Sequence, residues 1–411
     1  MIHHAELTPN QFAIEKLLKV EPIFTQIGTA QTLLGIRPFT VLHAGPPFKN
    51  PKELPKSIRS SLILTALYED WAQNVEHAIS LIEGGLINML PAQDHHCVTP
   101  LAALISPKTA LIGVKDKNSN LHHIYAPLSS GPPPDLRFGA LNMGCLETMQ
   151  LRDKKLMPLI SQAIREPIHL KEIALIGLSK GDELHSSTLH ATIALRDEFV
   201  KALEGINIDA NHILFLSTLM QSNPGFFLTF WMAACKLYLS SLEGVDGSTL
   251  VSKIGSNGES IGLSIASNPN RWFIEPATSP SGHRFSHASH SIPIQGVVGD
   301  SSVIDIMGFG GQLTHQSPDV FESLKDFLPS SLKTRPNIFM CQAHPQFSNV
   351  KGIFGNFDVM TGLDVDKVHS SQITPLINIG MLADDGVNGL LGRGVYICPA
   401  KIFEKALCDL K

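Results

Sequence analysis

Residues 226–242 read FFLTFWMAACKLYLSSL, an apolar run that holds a single charged residue, Lys236. The run is about one helical turn shorter than the roughly 20 residues that a membrane-spanning helix needs. The turn-forming residues Asn223-Pro224-Gly225 separate it from the apolar residues before it. A helix that is apolar on every side is buried either in a protein core or in a membrane. The length and the lysine favour the core, so the sequence predicts a buried helix and no membrane span.

This helix ends a middle section in which helical periodicity dominates. Before the section, short strand candidates alternate with helical spacing over 10–33 and 58–83, and after Gly244 short β-prone runs are separated by Gly, Ser and Pro. Within the section, apolar residues recur at helical spacing over 151–164, 170–178 and 183–203. We therefore predict an α+β (mixed α/β) multidomain fold, with an N-terminal α/β domain at 1–146, a helical domain at 147–243 and a C-terminal α+β domain at 244–411.

The composition limits the classes of partner. The 411 residues include 32 Lys and Arg against 37 Asp and Glu, a formal net charge of −5, which excludes a nucleic-acid-binding protein on bulk charge. Charged residues make up 17% of the chain, below the roughly 25% that is usual. We expect a homo-oligomer or a subunit of a hetero-complex, with a large, well-buried monomer as the alternative. Scattered cysteines and an N-terminus without a secretory pattern predict a cytoplasmic protein with reduced thiols.

Two loops in the N-terminal part concentrate groups that can do chemistry. The strand-like run 39–42 leads into His43-Ala44-Gly45-Pro46-Pro47, where the prolines stiffen the backbone and the glycine lets a ligand approach it. A rigid turn explains the same residues equally well. Asp94-His95-His96 follows a second predicted strand, and such groups serve as acid–base groups or metal ligands. One buried core histidine beside an exposed one is the alternative.

A third loop, Ser179-Lys180-Gly181-Asp182-Glu183-Leu184-His185, lies between two predicted helices. Asp182 is placed to cap the helix that follows, and Glu183 to lie in its first turn. The ionisable groups of Lys180, Glu183 and His185 could also reach a shared pocket at the helix start, where backbone N–H groups favour anions.

The C-terminal part contributes glycine-rich loops. Gly255-Ser256-Asn257-Gly258 is typical of a turn. Gly299-Asp300-Ser301 precedes a predicted strand at 303–306, which leads into Gly308-Phe309-Gly310-Gly311. A strand that feeds a glycine-rich loop suits a cradle for phosphate or carboxylate.

A metal site is not predicted. His283, His287 and His290 have a spacing that metal ligands can have, but the Pro, Gly and Ser residues around them indicate a loop. The phosphate-loop, dinucleotide-binding and zinc-protease motifs are missing from the sequence.

Taken in order, these loops resemble the AllG/YlbE family. The resemblance implies a subunit of an oxamate carbamoyltransferase that works beside AllF (FdrA)-like and AllH-like subunits in allantoin breakdown. The implied reaction converts oxalurate and phosphate, both small anions, into oxamate and carbamoyl phosphate, and it requires no cofactor. The matching motifs are His43-Ala44-Gly45-Pro46-Pro47, Asp94-His95, Val98-Thr99-Pro100, Ile105-Ser106-Pro107, Leu136-Arg137-Phe138-Gly139-Ala140, Gly181-Asp182-Glu183 with His185, Met232-Ala233-Ala234 with Lys236, Gly247-Ser248, Asn257-Gly258, Arg271-Trp272-Phe273, Pro276-Ala277, Gly299-Asp300-Ser301, Gly308 and Gly310-Gly311.

The reaction that the resemblance implies sets the roles that we expect. Negative charge builds on the carbamoyl oxygen, so the site needs cations and N–H donors, and the leaving nitrogen needs an acid. We expect His43 and His95 to polarise the carbonyl or transfer protons. The expected catalytic residues are His43, Asp94, His95, Glu183 and His185. The expected substrate-binding residues are Arg137, Lys180, Asp182, Asn257, Gly308, Gly310 and Gly311.

Two alternative functions remain open at this point. One is a metal-dependent amidohydrolase that uses Asp94, His95 and His185. The other is a non-catalytic scaffold subunit whose partner carries the chemistry, which the low charge content permits.

Overall fold

The computed structural model describes residues 7–206 and 208–409. Within these ranges the α-helices are α1 (Pro9–Leu18), α2 (Ala30–Leu34), α3 (Lys56–Tyr68), α4 (Val75–Glu83), α5 (Gly144–Leu151), α6 (Met157–Ala163), α7 (Leu170–Ser179), α8 (Leu189–Glu204), α9 (Ala210–Gln221), α10 (Leu228–Ser240), α11 (Ser302–Ile306), α12 (Pro318–Leu324), α13 (Pro336–Phe339), α14 (Val365–Ser371) and α15 (Ala400–Cys408). A π-helical turn, Arg152–Leu156, joins α5 to α6.

The β-strands of the same ranges form small sheets. They are β1 (Pro22–Thr29), β2 (Thr40–His43), β3 (Asn88–Pro91), β4 (Ala110–Asp116), β5 (Ile124–Pro127), β6 (Ile168–His169), β7 (Val251–Asn257), β8 (Ser260–Ile265), β9 (Asn268–Pro276), β10 (Val298–Gly299), β11 (Met340–Ala343), β12 (Val350–Gly352), β13 (Gly355–Phe357), β14 (Met360–Leu363), β15 (Leu376–Leu382) and β16 (Leu390–Ile397).

Two four-stranded antiparallel sheets carry most of the packing. Sheet 1 has the strand order β5-β4-β1-β6 and sheet 2 the order β10-β7-β8-β9. Strands β2 and β3 pair in parallel, and the pairs β11-β14, β12-β13 and β15-β16 are antiparallel. Helices and strands are mixed along the chain, which confirms the predicted α+β class.

Helix α10 packs against both sheets. It contacts β1, β4 and β5 of sheet 1 and β7 of sheet 2, and every residue from 229 to 239 is buried. Trp231 packs edge-on against Phe309 at a ring-centroid distance of 5.1 Å. Because both sheets, helices α7 and α11 and the rings of Phe309 and Phe347 pack on it, the helix has no face that needs polar residues, which explains its sequence. The predicted buried helix is confirmed, and no helix in the described residues is long and apolar enough to cross a membrane.

The core is shared along the chain. One cluster of buried residues contains Phe24 from sheet 1, Phe199 from α8, Trp231 from α10 and Ile254 from sheet 2. The division of the chain at residues 147 and 244 into three domains stays a prediction.

The helical spacing predicted over 10–33 is wrong for its central part. Helix α1 ends at Leu18, and residues 22–29 form β1, which pairs with β4 from Pro22 opposite Asp116 to Thr29 opposite Ala110. Phe24 and Ile27 are spaced as in a helix, but the segment is also rich in β-branched residues that suit a strand. The partner strand lies far away in the sequence, so local spacing could not decide the matter.

Two further segments differ from the sequence-based prediction. Residues 303–306, expected to be a strand, lie in the short helix α11, while Gly255 and Ser256, expected in a turn, lie inside the buried strand β7. In addition, α8 begins at Leu189 and not at Glu183. The premise that a strand feeds the loop 308–311 therefore fails.

We predict that Gly308→Ala destabilises the fold more than Gly355→Ala. Both glycines have left-handed backbone angles, φ +106° and +111°, but a Cβ at Gly308 would overlap the carbonyl oxygen of Met360, whereas no atom of the described residues lies within 4 Å of a Cβ at Gly355. The backbone strain is common to both variants, so the difference isolates the clash, which we expect to cost about 1–3 kcal/mol of unfolding free energy. Urea unfolding of both variants measures it, and equal losses would contradict the assignment.

Candidate functional site

A buried carboxylate, Asp300, joins loops from distant parts of the chain. Its Oδ1 accepts hydrogen bonds from the Gly45 amide at 2.9 Å and from Gln93 Nε2 at 2.7 Å, and its Oδ2 accepts one from the Thr99 amide at 3.1 Å. Burial raises the pKa of Asp300 to about 7, although the three N–H donors oppose this shift. Asp300 therefore brings the loop 43–47 against the residues around Gln93.

His43 and Asn257, both predicted site residues, lie beside this junction and are buried. The Nδ1 of His43 lies 2.8 Å from the carbonyl oxygen of Ala44, while its Nε2 has no hydrogen-bond partner in the described part of the chain. Burial lowers the pKa of His43 to about 4, so the ring is neutral near pH 7. Asn257 donates to the Pro46 carbonyl at 2.8 Å and accepts from two backbone amides that follow it. These contacts hold the two loops together.

Asp94 lies at the surface in a cluster that also contains a buried lysine and an indole. The Nζ of Lys253, a residue of β7, donates to Asp94 Oδ1 at 2.6 Å, and Trp272 Nε1 lies 3.1 Å from Asp94 Oδ2. The side chain of Asp94 is 33% exposed, whereas that of Lys253 is only 6% exposed. His95 lies in the same 3₁₀ turn as Asp94, Ala92–His95. The carboxylate of Asp94 is thus open to solvent while its cationic partner is fixed in the core.

A second buried lysine extends this cluster. Lys236 of α10 donates from Nζ to Glu243 Oε1 at 2.7 Å and to the carbonyl oxygen of Ser252 at 3.2 Å. Burial lowers the pKa of Lys236, and the Glu243 carboxylate opposes that shift. His96 is close enough that the positive charges of both lysines add to the burial that lowers its own pKa. We call Asp94, Lys236, Glu243, Lys253 and Trp272 the Asp94 cluster.

Glu183, His185, Gly310 and Gly311 meet in a separate, buried network. The carboxylate of Glu183 accepts hydrogen bonds from the amides of His185, Ser186 and Ser187 and from Asn378 Nδ2. The amide of Gly310 donates to the Glu183 carbonyl and that of Gly311 to Asp305 Oδ1. The N–H groups of Gly310 and Gly311 are therefore already used inside the protein.

The pair His185–Asp305 stands at the centre of this network. His185 Nδ1 lies 2.8 Å from Asp305 Oδ2, and both side chains are buried. Burial alone would lower the pKa of His185, but the Asp305 carboxylate outweighs it and the pKa is raised. Asp300 lies just before helix α11 and Asp305 lies within it. This short helix therefore links the junction at Asp300 to the network at His185.

The remaining predicted residues lie elsewhere. Asp182 accepts from the amides of His190 and Ala191 at 2.8 and 2.9 Å, so it bonds the first turn of α8 as predicted, but the N-cap position is held by Thr188 and not by Asp182. Lys180 is exposed at the end of α7. Arg137 lies in a cleft with Arg152, and Gly308 lines a different pocket, with His315 and Lys333.

The ligand set of the amidohydrolase alternative is not assembled. Asp94 contacts Lys253 and Trp272, whereas His185 contacts Asp305 in the buried network. Over residues 7–206 and 208–409, no group of three or more His, Cys, Asp and Glu side chains is placed to hold a metal ion.

Sequence reasoning does not single out Lys253, Asp305 or Arg152. Asp305 interrupts the apolar run 303–306, and this is a usable signal because an ionisable residue is buried only when it has a partner. Lys253 likewise interrupts the uncharged run 250–258, whereas Arg152 carries no such signal because Asp153, Lys154 and Lys155 follow it.

The geometry defines the class of protein: it is an α+β protein in which acid–base groups from several loops lie around one buried helix. Residues 87–301, more than half of the chain, match the family model described as "Oxamate carbamoyltransferase subunit AllG". The chain therefore belongs to the AllG family, which confirms the resemblance in the sequence. The matched region contains the whole Asp94 cluster and Arg137.

Individual relatives align over nearly the full chain. The protein is 25% identical to the oxamate carbamoyltransferase subunit AllG of Escherichia coli (strain K12) over 407 residues, 97% of this chain and 96% of that protein. It is also 25% identical to the uncharacterized protein YahG of the same strain, over 97% of this chain and 84% of YahG. A crystal structure of a conserved protein of unknown function from Enterococcus faecalis V583 is similar in fold, with a TM-score of 0.89, 22% identity and coverage of 98% and 96%.

We predict that Asp300→Asn changes how stability depends on pH. The pKa of Asp300 in the folded protein, about 7, lies above its ordinary value of 3.8, so the folded protein keeps a proton that the unfolded chain loses. The stabilising contribution of this carboxyl is complete below pH 3.8 and falls as the pH rises to about 7. The difference in unfolding free energy between wild type and Asp300→Asn should therefore shrink over this range.

Urea unfolding at a series of pH values measures this difference. Asp197→Asn, which changes an exposed carboxylate, is the control for the loss of one negative charge. A constant difference between wild type and Asp300→Asn from acid to neutral pH would show that Asp300 does not hold the proton.

Proposed function

We propose that this chain is a subunit of a carbamoyltransferase that converts oxalurate and phosphate into oxamate and carbamoyl phosphate in allantoin breakdown. Membership of the AllG family carries this proposal, supported by the alignment over 97% of the chain with the E. coli protein of that name. The proposal includes AllF (FdrA)-like and AllH-like partners in a cytoplasmic complex, and a homo-oligomeric form of the chain is compatible with it.

The proposed reaction determines which chemical groups its site needs. A phosphate oxygen attacks the carbamoyl carbon, the bond from that carbon to the oxamate nitrogen breaks, and the proton of the hydrogen phosphate ends on that nitrogen. Negative charge grows on the carbamoyl oxygen during the attack. A site for this reaction needs fixed positive charge near that oxygen and a group that moves the proton.

The Asp94 cluster supplies groups of both kinds. The ammonium groups of Lys236 and Lys253 are held by Glu243 and Asp94 and are almost completely removed from solvent. A charge in such surroundings acts more strongly on a reacting group than it does in water. Asp94 and Glu243 are 33% and 28% exposed, so reactants or a partner subunit can reach them.

We assign roles within the proposal accordingly. Lys253 stabilises the charge on the carbamoyl oxygen, and Asp94 moves the proton, with His95 beside it in the same turn. Lys236 fixes Glu243 and adds positive charge. His43, Glu183, His185, Asn257, Gly310 and Gly311 act as positioning residues, because their polar groups are buried and mostly engaged in hydrogen bonds inside the protein.

We predict that Asp94→Asn in the reconstituted complex lowers kcat for carbamoyl phosphate formation by about 10²–10⁴-fold, the usual effect of removing a proton-transferring group. Asparagine keeps the size of the side chain and can accept from Lys253, so the fold should persist. The measurement is carbamoyl phosphate production from oxalurate and phosphate, with assembly checked by size-exclusion chromatography and Asp197→Asn as control.

Three results of this assay separate the possibilities. If the wild-type complex forms no carbamoyl phosphate from oxalurate and phosphate, the proposed reaction is wrong. If it does and Asp94→Asn keeps full activity in an intact complex, the Asp94 cluster is not the site. If Asp94→Asn, Lys253→Met and Arg137→Gln are all neutral in an active complex, the chain is a scaffold and a partner subunit carries the chemistry.

A further inference from the structure

A polar cleft lies at the start of helix α10, away from the groups assigned to the Asp94 cluster. The space inside it that a water molecule can occupy is about 20 Å³, and its free volume together with the open solvent at its mouth is about 340 Å³. Its walls come from the segments 100–104, 127–130 and 135–137, together with Arg152 of the π-helical turn and Thr229 of α10. Two guanidinium groups and one carboxylate, that of Asp135, therefore face a small space.

The guanidinium of Arg137 has unused donors. The Arg137 side chain is only 13% exposed, yet it donates no hydrogen bond to any residue that the structure describes. Asp135 Oδ2 lies 3.5 Å from Nε, and the ring of Phe138 lies 4.9 Å from the guanidinium carbon. These neighbours orient the group without satisfying it. Among its nitrogens, Nε is buried without a hydrogen-bond partner in the described residues, and buried guanidinium N–H groups are normally bonded, so this arrangement favours an acceptor beside Arg137.

Arg152 is fixed beside it with one side free. The Arg152 side chain is 4% exposed, and its Nε and Nη2 donate to Asp153 at 2.6 and 3.0 Å. Asp153 also accepts from the hydroxyl of Tyr68. Within the described ranges Nη1 of Arg152 has no hydrogen-bond partner, while the other two nitrogens are held. Arg152 therefore presents a donor in a defined position.

Thr229 provides an independent sign of a missing ligand. The residue is 2% exposed, and its Oγ1 has no hydrogen-bond partner in residues 7–206 and 208–409 although it lines the cleft. An apolar residue would fill the same space without the cost of burying a hydroxyl. Thr229 also lies in the first turn of a 13-residue helix, where the partial charge is positive.

We propose that this cleft binds the carboxylate or phosphate group of a small anion through Arg137, Arg152 and Thr229. The identification of that anion as a reactant rests on the proposed function, whereas the binding itself does not. Arginine forks match planar carboxylates and phosphates with paired hydrogen bonds. Asp135 keeps the fork of Arg137 in place through its contacts with the backbone amide and Nε of that residue.

The position of the cleft suits a reaction between two anions. Thr229 and Lys236 are seven residues apart on α10, so they project from the same side of the helix, about 10 Å apart along its axis. The helix thus carries one end of the cleft and one lysine of the Asp94 cluster. With one anionic group in the cleft and another at the Asp94 cluster, the protein holds a carboxylate and a phosphate at the same time, as the proposed reaction requires.

Calorimetric titration of the full chain tests the binding. The probes are oxamate and inorganic phosphate, titrated separately and then in competition, which distinguishes a carboxylate site from a phosphate site. We expect saturable binding of at least one of them to the wild type. Arg137→Gln should weaken it about tenfold or more, as expected for the loss of a charged hydrogen-bond donor.

Thr229→Val distinguishes anion binding by this residue from a purely structural role. It should weaken anion binding severalfold, while its unfolding midpoint without anion stays at or above that of the wild type, because a buried hydroxyl without a partner is removed. Arg59→Gln, which removes an exposed arginine paired with Glu83, is the charge-matched control and should bind like the wild type.

The outcomes also separate this inference from the proposed function. Absence of binding of both probes, or equal binding by wild type, Arg137→Gln and Thr229→Val, overturns the cleft assignment. Binding with the expected variant effects, in a chain whose complex makes no carbamoyl phosphate, supports the cleft and contradicts the proposed function. An active complex in which Arg137→Gln leaves the KM for phosphate and for oxalurate unchanged overturns the cleft and leaves the proposed function standing.

Discussion

The burial of α10 on all sides is the constraint on which the rest of the structure depends. A helix that carries Phe, Trp, Leu and Met around its whole circumference has to be covered all round, and a single sheet covers only one face. Sheet 1, sheet 2, helices α7 and α11 and the rings of Phe309 and Phe347 together meet this need. Segments from the first third and the last third of the chain must therefore fold against the same helix.

The few polar residues of α10 are informative because the helix is buried on all sides. Lys236 and Thr229 are buried in a mostly apolar helix that also buries the Tyr238 hydroxyl and the Trp231 indole N–H, and burial of a polar group without compensation is costly. Lys236 is compensated by Glu243 and by the Ser252 carbonyl. Thr229 lacks such compensation in the described residues. This contrast distinguishes a charge that the fold itself satisfies from a hydroxyl that we assign to a ligand.

The second organising feature is the pair of buried carboxylates at α11. Asp300 binds the loop 43–47, which comes before sheet 2 in the sequence. Asp305 binds the loop that precedes α8, and it also binds strand β15. Because both belong to one short segment, the 43–47 loop and the 182–187 loop have fixed positions relative to each other. The buried network around Glu183 and His185 is best understood as the internal support of this arrangement, and the chemistry proposed here lies in the more exposed groups around Asp94.

The sequence by itself determined the features that depend on neighbours in the chain: the buried helix at 226–242 and the α+β class. Helical spacing, capping and turn chemistry act over a few residues, so they can be recognised locally. Only the tertiary structure decided that 22–29 is a strand, that 302–306 is a helix, and which of the predicted site residues meet. Strand pairing and the burial of a charged group depend on partners far away in the chain, such as β4 for β1 and Lys253 for Asp94, and the sequence does not contain their distances.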